Sequence, residues 1–146
     1  MEEEGSSTEG TTNEELEEIC KNIPYFKGVF CRDELKKMKP NENESMIVFT
    51  NTTKSKGISH WQAIHKRGDY KVFFCSYGSP ISDDIKNYLG KHILTSNLRI
   101  QENDSNCGYW CVLILYLLSQ GFNFESIILD LNEQYRNRSK DLIIFK

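Results

Sequence analysis

The apolar pattern of the chain is densest from Tyr109 to Leu118, where YWCVLILYLL covers every face of a 3.6-residue helix. A run this short does not span a bilayer, and it predicts a helix buried in the middle of a domain. The polar stretch 101–106 (QENDSN) precedes it, and Cys107-Gly108 marks the turn between the two. Gly121 closes the helix. Upstream, Thr12 and Glu15 form a capping-box pattern ahead of Leu16, Ile19 and Cys20, predicting a short amphipathic helix that ends near Asn22. Pro24 then forces extended chain through IPYFKGVF. Residues 32–39 predict a short helical turn, stopped by Pro40.

Three strand patterns follow. Met46 to Thr50 is apolar and rich in strand formers. Ile58 to Lys66 alternates His60, Gln62 and Ile64 against Trp61, Ala63 and His65. Tyr70 to Cys75 pairs back on it through Arg67-Gly68-Asp69, a hairpin turn. NTTKSKG, between the first two strands, reads as loop. Ser82 caps a short helix that Gly90 ends, and Leu98 to Gln101 reads as a strand leading into the central helix. Phe124 to Tyr135 is a last amphipathic helix. Residues 136–141 read as a charged linker, and LIIFK as a docked extended end or a fraying tail. No internal repeat is present. The order predicts an α+β fold, a small mostly antiparallel sheet packed on a buried central helix, with peripheral helices.

Composition changes this picture at the N-terminus. The first eighteen residues hold eight Glu and no Lys or Arg, so a net charge of −3 becomes about +5 over the remainder. Residues 1–11 are read as a disordered acidic tail and 12–146 as a single domain. The overall charge argues against nucleic-acid binding as the main role, and the loose basic clusters (36–39, 54–56, 136–140) read as solvated faces. No signal peptide or membrane span is apparent. Five Cys without a disulfide-framework spacing fit a reducing, intracellular compartment. Cys107 and Cys111 lack the second ligand pair that zinc needs, so no metal or organic cofactor is expected, and Cys111 reads as a core thiol.

Cys107 in the first turn of the central helix would meet unpaired N–H groups and the positive end of the dipole. That environment lowers a thiol's pKa and suits a nucleophile. The Gln101 amide could reach back over the same helix start and, with the Cys107 N–H, bind a developing oxyanion. A lone buried Cys beside a Gln is ordinarily structural, so the presence of a base elsewhere decides the reading. His60, in GISHW at the start of the second strand, is the candidate. His65 and His92 lie in charged or exposed contexts.

His60-Trp61, the FFCSYG strand end, and Gln101 followed five residues on by Cys107-Gly108 resemble the adenovirus-type (adenain-like) cysteine endopeptidases in order and spacing. Residues 23–35 (IPYF, Gly28, Val29-Phe30, RDEL) resemble the versions carried by Polinton/Maverick transposons and related virus-like elements. The resemblance covers roughly residues 14–132. It implies a papain-like, adenain-like core with Cys107 as nucleophile, His60 as base, Gln101 as oxyanion donor and Trp61 shielding the pair.

The family's third member is an acid, and here that position is Cys75. A neutral thiol accepts poorly, and desolvation beside Phe73 and Phe74 opposes a thiolate. Asp69 reads as too distant, Asp83 and Asp84 would need the SYGSP turn to fold back, and Ser76 carries no charge. The resemblance implies a thioester mechanism, a polypeptide substrate among the structural, capsid-type proteins of a virus-like element, and packaging in its particle. It also implies an activating peptide or nucleic acid, as for the adenovirus enzymes; a monomer without membrane association is expected. The alternatives are a deconjugating protease for ubiquitin-like modifiers and, given Cys75, a protease fold acting as a peptide-binding module.

Overall fold

The computed structural model describes residues 12–51, 60–100 and 107–134, with the backbone of 144–145. The expected tail (1–11), Gln101, most of the NTTKSKG loop and the charged linker lie outside the described residues. The fold is α+β, built on a mixed sheet whose six strands lie in sequence order, the last only two residues long. The strands are β1 (Phe26–Cys31), β2 (Asn43–Phe49), β3 (Trp61–Arg67), β4 (Tyr70–Phe74), β5 (Ile93–Thr95) and β6 (Ile144–Phe145). Three of the five pairings are antiparallel, while β1–β2 and β4–β5 are parallel.

Both faces of this sheet are covered, which is why β2 reads MIVF without polar alternation. On one face, Ile47, Ala63, Val72 and Phe74 pack with α1 (Asn13–Cys20), α3 (Cys107–Ser119) and α4 (Phe124–Gln134). On the other, Met46, Val48, Ile64 and Phe73 pack under α2 (Asp83–Leu89) and a 3-10 helix, Arg32–Lys37. Phe73, Ile64, Ile47 and Met46 are fully buried, and each such side chain stabilises the fold by roughly 1.5–3 kcal/mol.

Local signals hold where side chains bond the backbone. Thr12 Oγ1 accepts the Glu15 N–H at 3.2 Å and the Glu15 carboxylate accepts the Thr12 N–H at 2.9 Å, the reciprocal capping box. Ser82 caps α2 and Gly90 ends it. Arg67 pairs with Tyr70, leaving Gly68-Asp69 as a two-residue turn with Gly68 at φ +59°.

Two expectations change, and one open alternative is decided. Leu98–Ile100 is not a strand; Ile93–Thr95, a run too short to announce itself, takes that place beside β4. Of the two readings of LIIFK, the docked one agrees with Ile144–Phe145, which pair antiparallel with β5. The central helix is not buried on every side. Tyr109, Leu113 and Tyr116 form an exposed stripe because α3 lies on the sheet by one face, set by Cys107, Cys111, Ile114, Leu115 and Leu118.

One turn needs its glycine. Gly78 closes Cys75-Ser76-Tyr77-Gly78, its N–H donating to the Cys75 carbonyl at 3.0 Å. Its φ is +68°, and a Cβ there would sit 2.5 Å from the Asn97 carbonyl oxygen. The Ser76 carbonyl accepts the Ile100 N–H at 2.9 Å, so the turn is pinned against the following segment. This fixes the direction in which Cys75 leaves β4.

Candidate active site

Cys107 begins α3, and its sulfur accepts the backbone N–H of Trp61 at 3.3 Å. Trp61 is the first residue of β3, so the helix start meets the strand at the residue after His60. Two covalent bonds separate the His60 Cα from that nitrogen, which keeps it within about 6 Å of the sulfur. The candidate nucleophile and the candidate base therefore share one end of β3. Trp61 is buried against Phe49, with ring centroids 4.3 Å apart, a wall of aromatic surface beside the sulfur.

His60 is fixed through its backbone. Its N–H donates to Thr50 Oγ1 at 3.0 Å, and its carbonyl accepts the Thr50 N–H at 3.0 Å. Its ring meets the Tyr77 ring edge-on at 4.9 Å. The imidazole Nε2 is buried without a hydrogen-bond partner among the described residues.

The β3–β4 register explains the rest of the constellation. Ala63 pairs with Phe74, so continuing the ladder sets Gln62 opposite Cys75 and His60 opposite Tyr77. The Cys75 sulfur hydrogen-bonds the side chains of both His60 and Gln62, and the Ser79 backbone as well. Cys75 groups with Phe73 and Ile64 in the core beneath α2, whereas Cys107 and Trp61 belong to the core beneath α3. The site lies where the sheet ends and these two cores meet.

The electrostatics reverse the sequence-based expectation. Burial is the strongest influence on Cys75 and opposes its ionisation. The bonds to His60 and Gln62, the His60 charge and the Ser79 backbone outweigh it together and bring the thiol down to about 7. Desolvation beside Phe73 and Phe74 therefore does not keep Cys75 neutral. Cys107 goes the other way. Burial pushes its thiol up, and although backbone N–H groups of Trp61, Gly108 and Cys107 favour the thiolate, the nearby Cys75 opposes it. The helix start alone does not make Cys107 a thiolate at neutral pH, because a residue only 6% exposed loses more hydration than these donors return.

The remaining candidates fall away. Asp69 and Asp83 are exposed, Asp84 is ion-paired to Arg32, and Ser76 is fully buried with its carbonyl bonded to Ile100. His65 is in a charged context but a buried one: on β3, burial followed by the Arg67 charge lowers its pKa to about 4. His92 is exposed at φ +64°. Cys111 is fully buried, its thiol pushed well up by burial and by the neighbouring thiols, as expected of a core residue. Gln62, Thr50 and Tyr77 escaped sequence reasoning; the signal that could have found them is the pairing of positions 60 and 62 with 77 and 75.

No group of three metal-ligating side chains is arranged around a metal position among the described residues. None of their helices is long and apolar enough to cross a membrane. No protein-family model matches this chain, and no curated protein sequence matches it.

Proposed function

We propose that the protein is a cysteine endopeptidase with an adenain-like core, in which Cys107 attacks, His60 moves the proton and a thiolate at Cys75 replaces the usual carboxylate. The observation that carries this reading is the hydrogen bond from the Trp61 amide to the Cys107 sulfur, one residue along the chain from His60, whose side chain interacts with Cys75.

His60 gives a ring N–H to the Cys75 thiolate and keeps the opposite nitrogen as base. As a peptide carbonyl reaches Cys107, the S–H proton passes to that nitrogen and the sulfur adds to the carbonyl carbon. The imidazolium that forms is stabilised by the Cys75 charge, the part a carboxylate plays in a triad. The Cys107 N–H, with the Gln101 amide by resemblance, receives the oxyanion. Collapse expels the amine, which takes the proton from His60 and leaves an acyl group on sulfur. Water, deprotonated by His60, releases the acid and returns the thiol.

The raised Cys107 pKa fits this order: the proton leaves on demand rather than in the resting enzyme. The proposed substrates are structural proteins of a virus-like element. A second reading, a peptide-binding module on the same fold, draws on the burial of Cys107.

Incubation with a proteome-derived peptide library, scored by mass spectrometry for new termini, separates the two. Endopeptidase action predicts new termini that vanish in Cys107→Ser and fall sharply in His60→Ala. Retention of peptides without new termini supports the binding module. New termini that survive Cys107→Ser contradict the assignment.

A further inference from the structure

We infer that Arg32, with Asp84 and Thr50, forms a positioning brace that sets the aim of the His60 imidazole. The inference rests on the protease reading, in which His60 is the base.

The observation is a broken rung. In an antiparallel ladder, opposed residues that are bonded exchange both N–H···O=C bonds. Phe49 pairs with Trp61, so Thr50 and His60 are the next pair, and the Thr50 N–H does donate to the His60 carbonyl at 3.0 Å. The return bond is missing from the backbone. The His60 N–H goes instead to the Thr50 hydroxyl at 3.0 Å. The Thr50 carbonyl is taken by Arg32, whose Nε donates to it at 2.6 Å.

Arg32 is in turn oriented by Asp84, its Nη1 lying 3.1 Å from Oδ2. Its own backbone N–H donates to the Asn51 carbonyl at 3.3 Å. The guanidinium suits this because its planar fork donates to a carbonyl and a carboxylate at once. A continuous bonded path thus runs from α2, through the start of the 3-10 helix and the end of β2, to the backbone of His60. It turns the Thr50 carbonyl out of the ladder and puts a side-chain oxygen under the His60 amide.

The brace contributes little to stability by itself. The Arg32 side chain is 38% exposed and Asp84 12%, and ion pairs open to water are worth little. Its effect is on geometry, where a misplacement near 1 Å costs on the order of a hundredfold in rate. Arg32 opens the RDEL stretch, which the catalytic constellation leaves unexplained.

Two measurements on the full chain test the brace. The first is the nuclear Overhauser contact between the His60 and Tyr77 rings, which reports ring position whether or not the protein is a protease. Arg32→Ala and Thr50→Val should weaken it while the melting temperature moves little; Thr50→Ser, which keeps the hydroxyl, should restore it. The second is alkylation of Cys107 by iodoacetamide, followed at peptide level by mass spectrometry. Arg32→Ala should slow it about tenfold or more in the native background and not at all in His60→Ala.

An unchanged ring contact in folded Arg32→Ala and Thr50→Val overturns the brace. So does an equal loss of rate with and without His60, since that marks a merely structural role. If His60→Ala itself leaves Cys107 reactivity unchanged, the protease reading fails, and the ring contact still decides whether the brace exists.

Discussion

Gln62 and Cys75 stand opposite each other one residue beyond the last paired rung of β3 and β4, and the Gln62 side chain hydrogen-bonds the Cys75 sulfur. Gln62 is buried, so its amide donates in a medium where an uncompensated polar group is costly. It therefore holds charge on a sulfur that burial alone would keep neutral. Replacing Gln62 by Leu removes the donor and should push the Cys75 thiol up. Thiolate absorbance in the ultraviolet, followed against pH, checks this. The wild type should show one thiol ionising at about 7, Cys75→Ser should lack that step, and Gln62→Leu should move it to higher pH.

The chemistry should follow the same ionisation. Cys75 carries its charge above a pKa of about 7, so its support of the imidazolium is present above that pH and lost below it. Cys75→Asp keeps the charge and moves the acid limb of the pH–rate profile down by roughly one unit or more, toward the carboxylate range. Cys75→Ser loses the charge and should slow Cys107 chemistry at pH 8 by at least tenfold, well short of the ~10⁴ reached when a triad acid is neutralised in a serine enzyme. A pH profile measured on all three proteins distinguishes these outcomes.

His65 makes the fold sensitive to acid. Burial, then the Arg67 charge, lowers its pKa from 6.5 to about 4. The unfolded chain therefore binds a proton that the native state refuses, and stability falls as pH drops from 6.5 toward 4, levelling off below. At about 1.4 kcal/mol per pH unit the loss is roughly 3 kcal/mol at most. Urea unfolding across that window should show the slope in the wild type and lose most of it in His65→Phe.

Gly78→Ala meets both a positive φ and the Asn97 carbonyl, 2.5 Å from where the new Cβ would stand. The backbone must move, so denaturant unfolding should show a loss of about 2 kcal/mol or more. Because the turn aims Cys75, the thiolate step near neutral pH should shift as well.

Much of this was legible in the sequence, and the illegible parts have physical causes. The capping box at Thr12, the Ser82 cap and the Gly68-Asp69 turn are local, each settled by residues three or four apart, and each formed where the pattern placed it. The α3 helix was legible as a helix but not in its exposure, because periodicity cannot say that Tyr109, Leu113 and Tyr116 would face outward. β5 was invisible because Ile93–Thr95 owes its strand to parallel pairing with β4. Cys75 is legible as a missing acid, but its ionisation is not. Phe73 and Phe74 are adjacent in sequence, whereas Gln62 reaches the sulfur only through the register. Thr50 and Arg32 were hidden for the same reason, since a broken rung exists only once strands are paired.

The most direct test of the central claim is the pH-resolved alkylation of Cys107 by iodoacetamide in the wild type and in His60→Ala. If His60 draws the Cys107 proton, Cys107 reacts faster than Cys20, Cys31 and Cys111 near neutral pH. Loss of the imidazole should slow it about tenfold or more, with Cys31, the one partly exposed cysteine, unchanged. A Cys107 no faster than Cys31, or one indifferent to the loss of His60, would contradict the account.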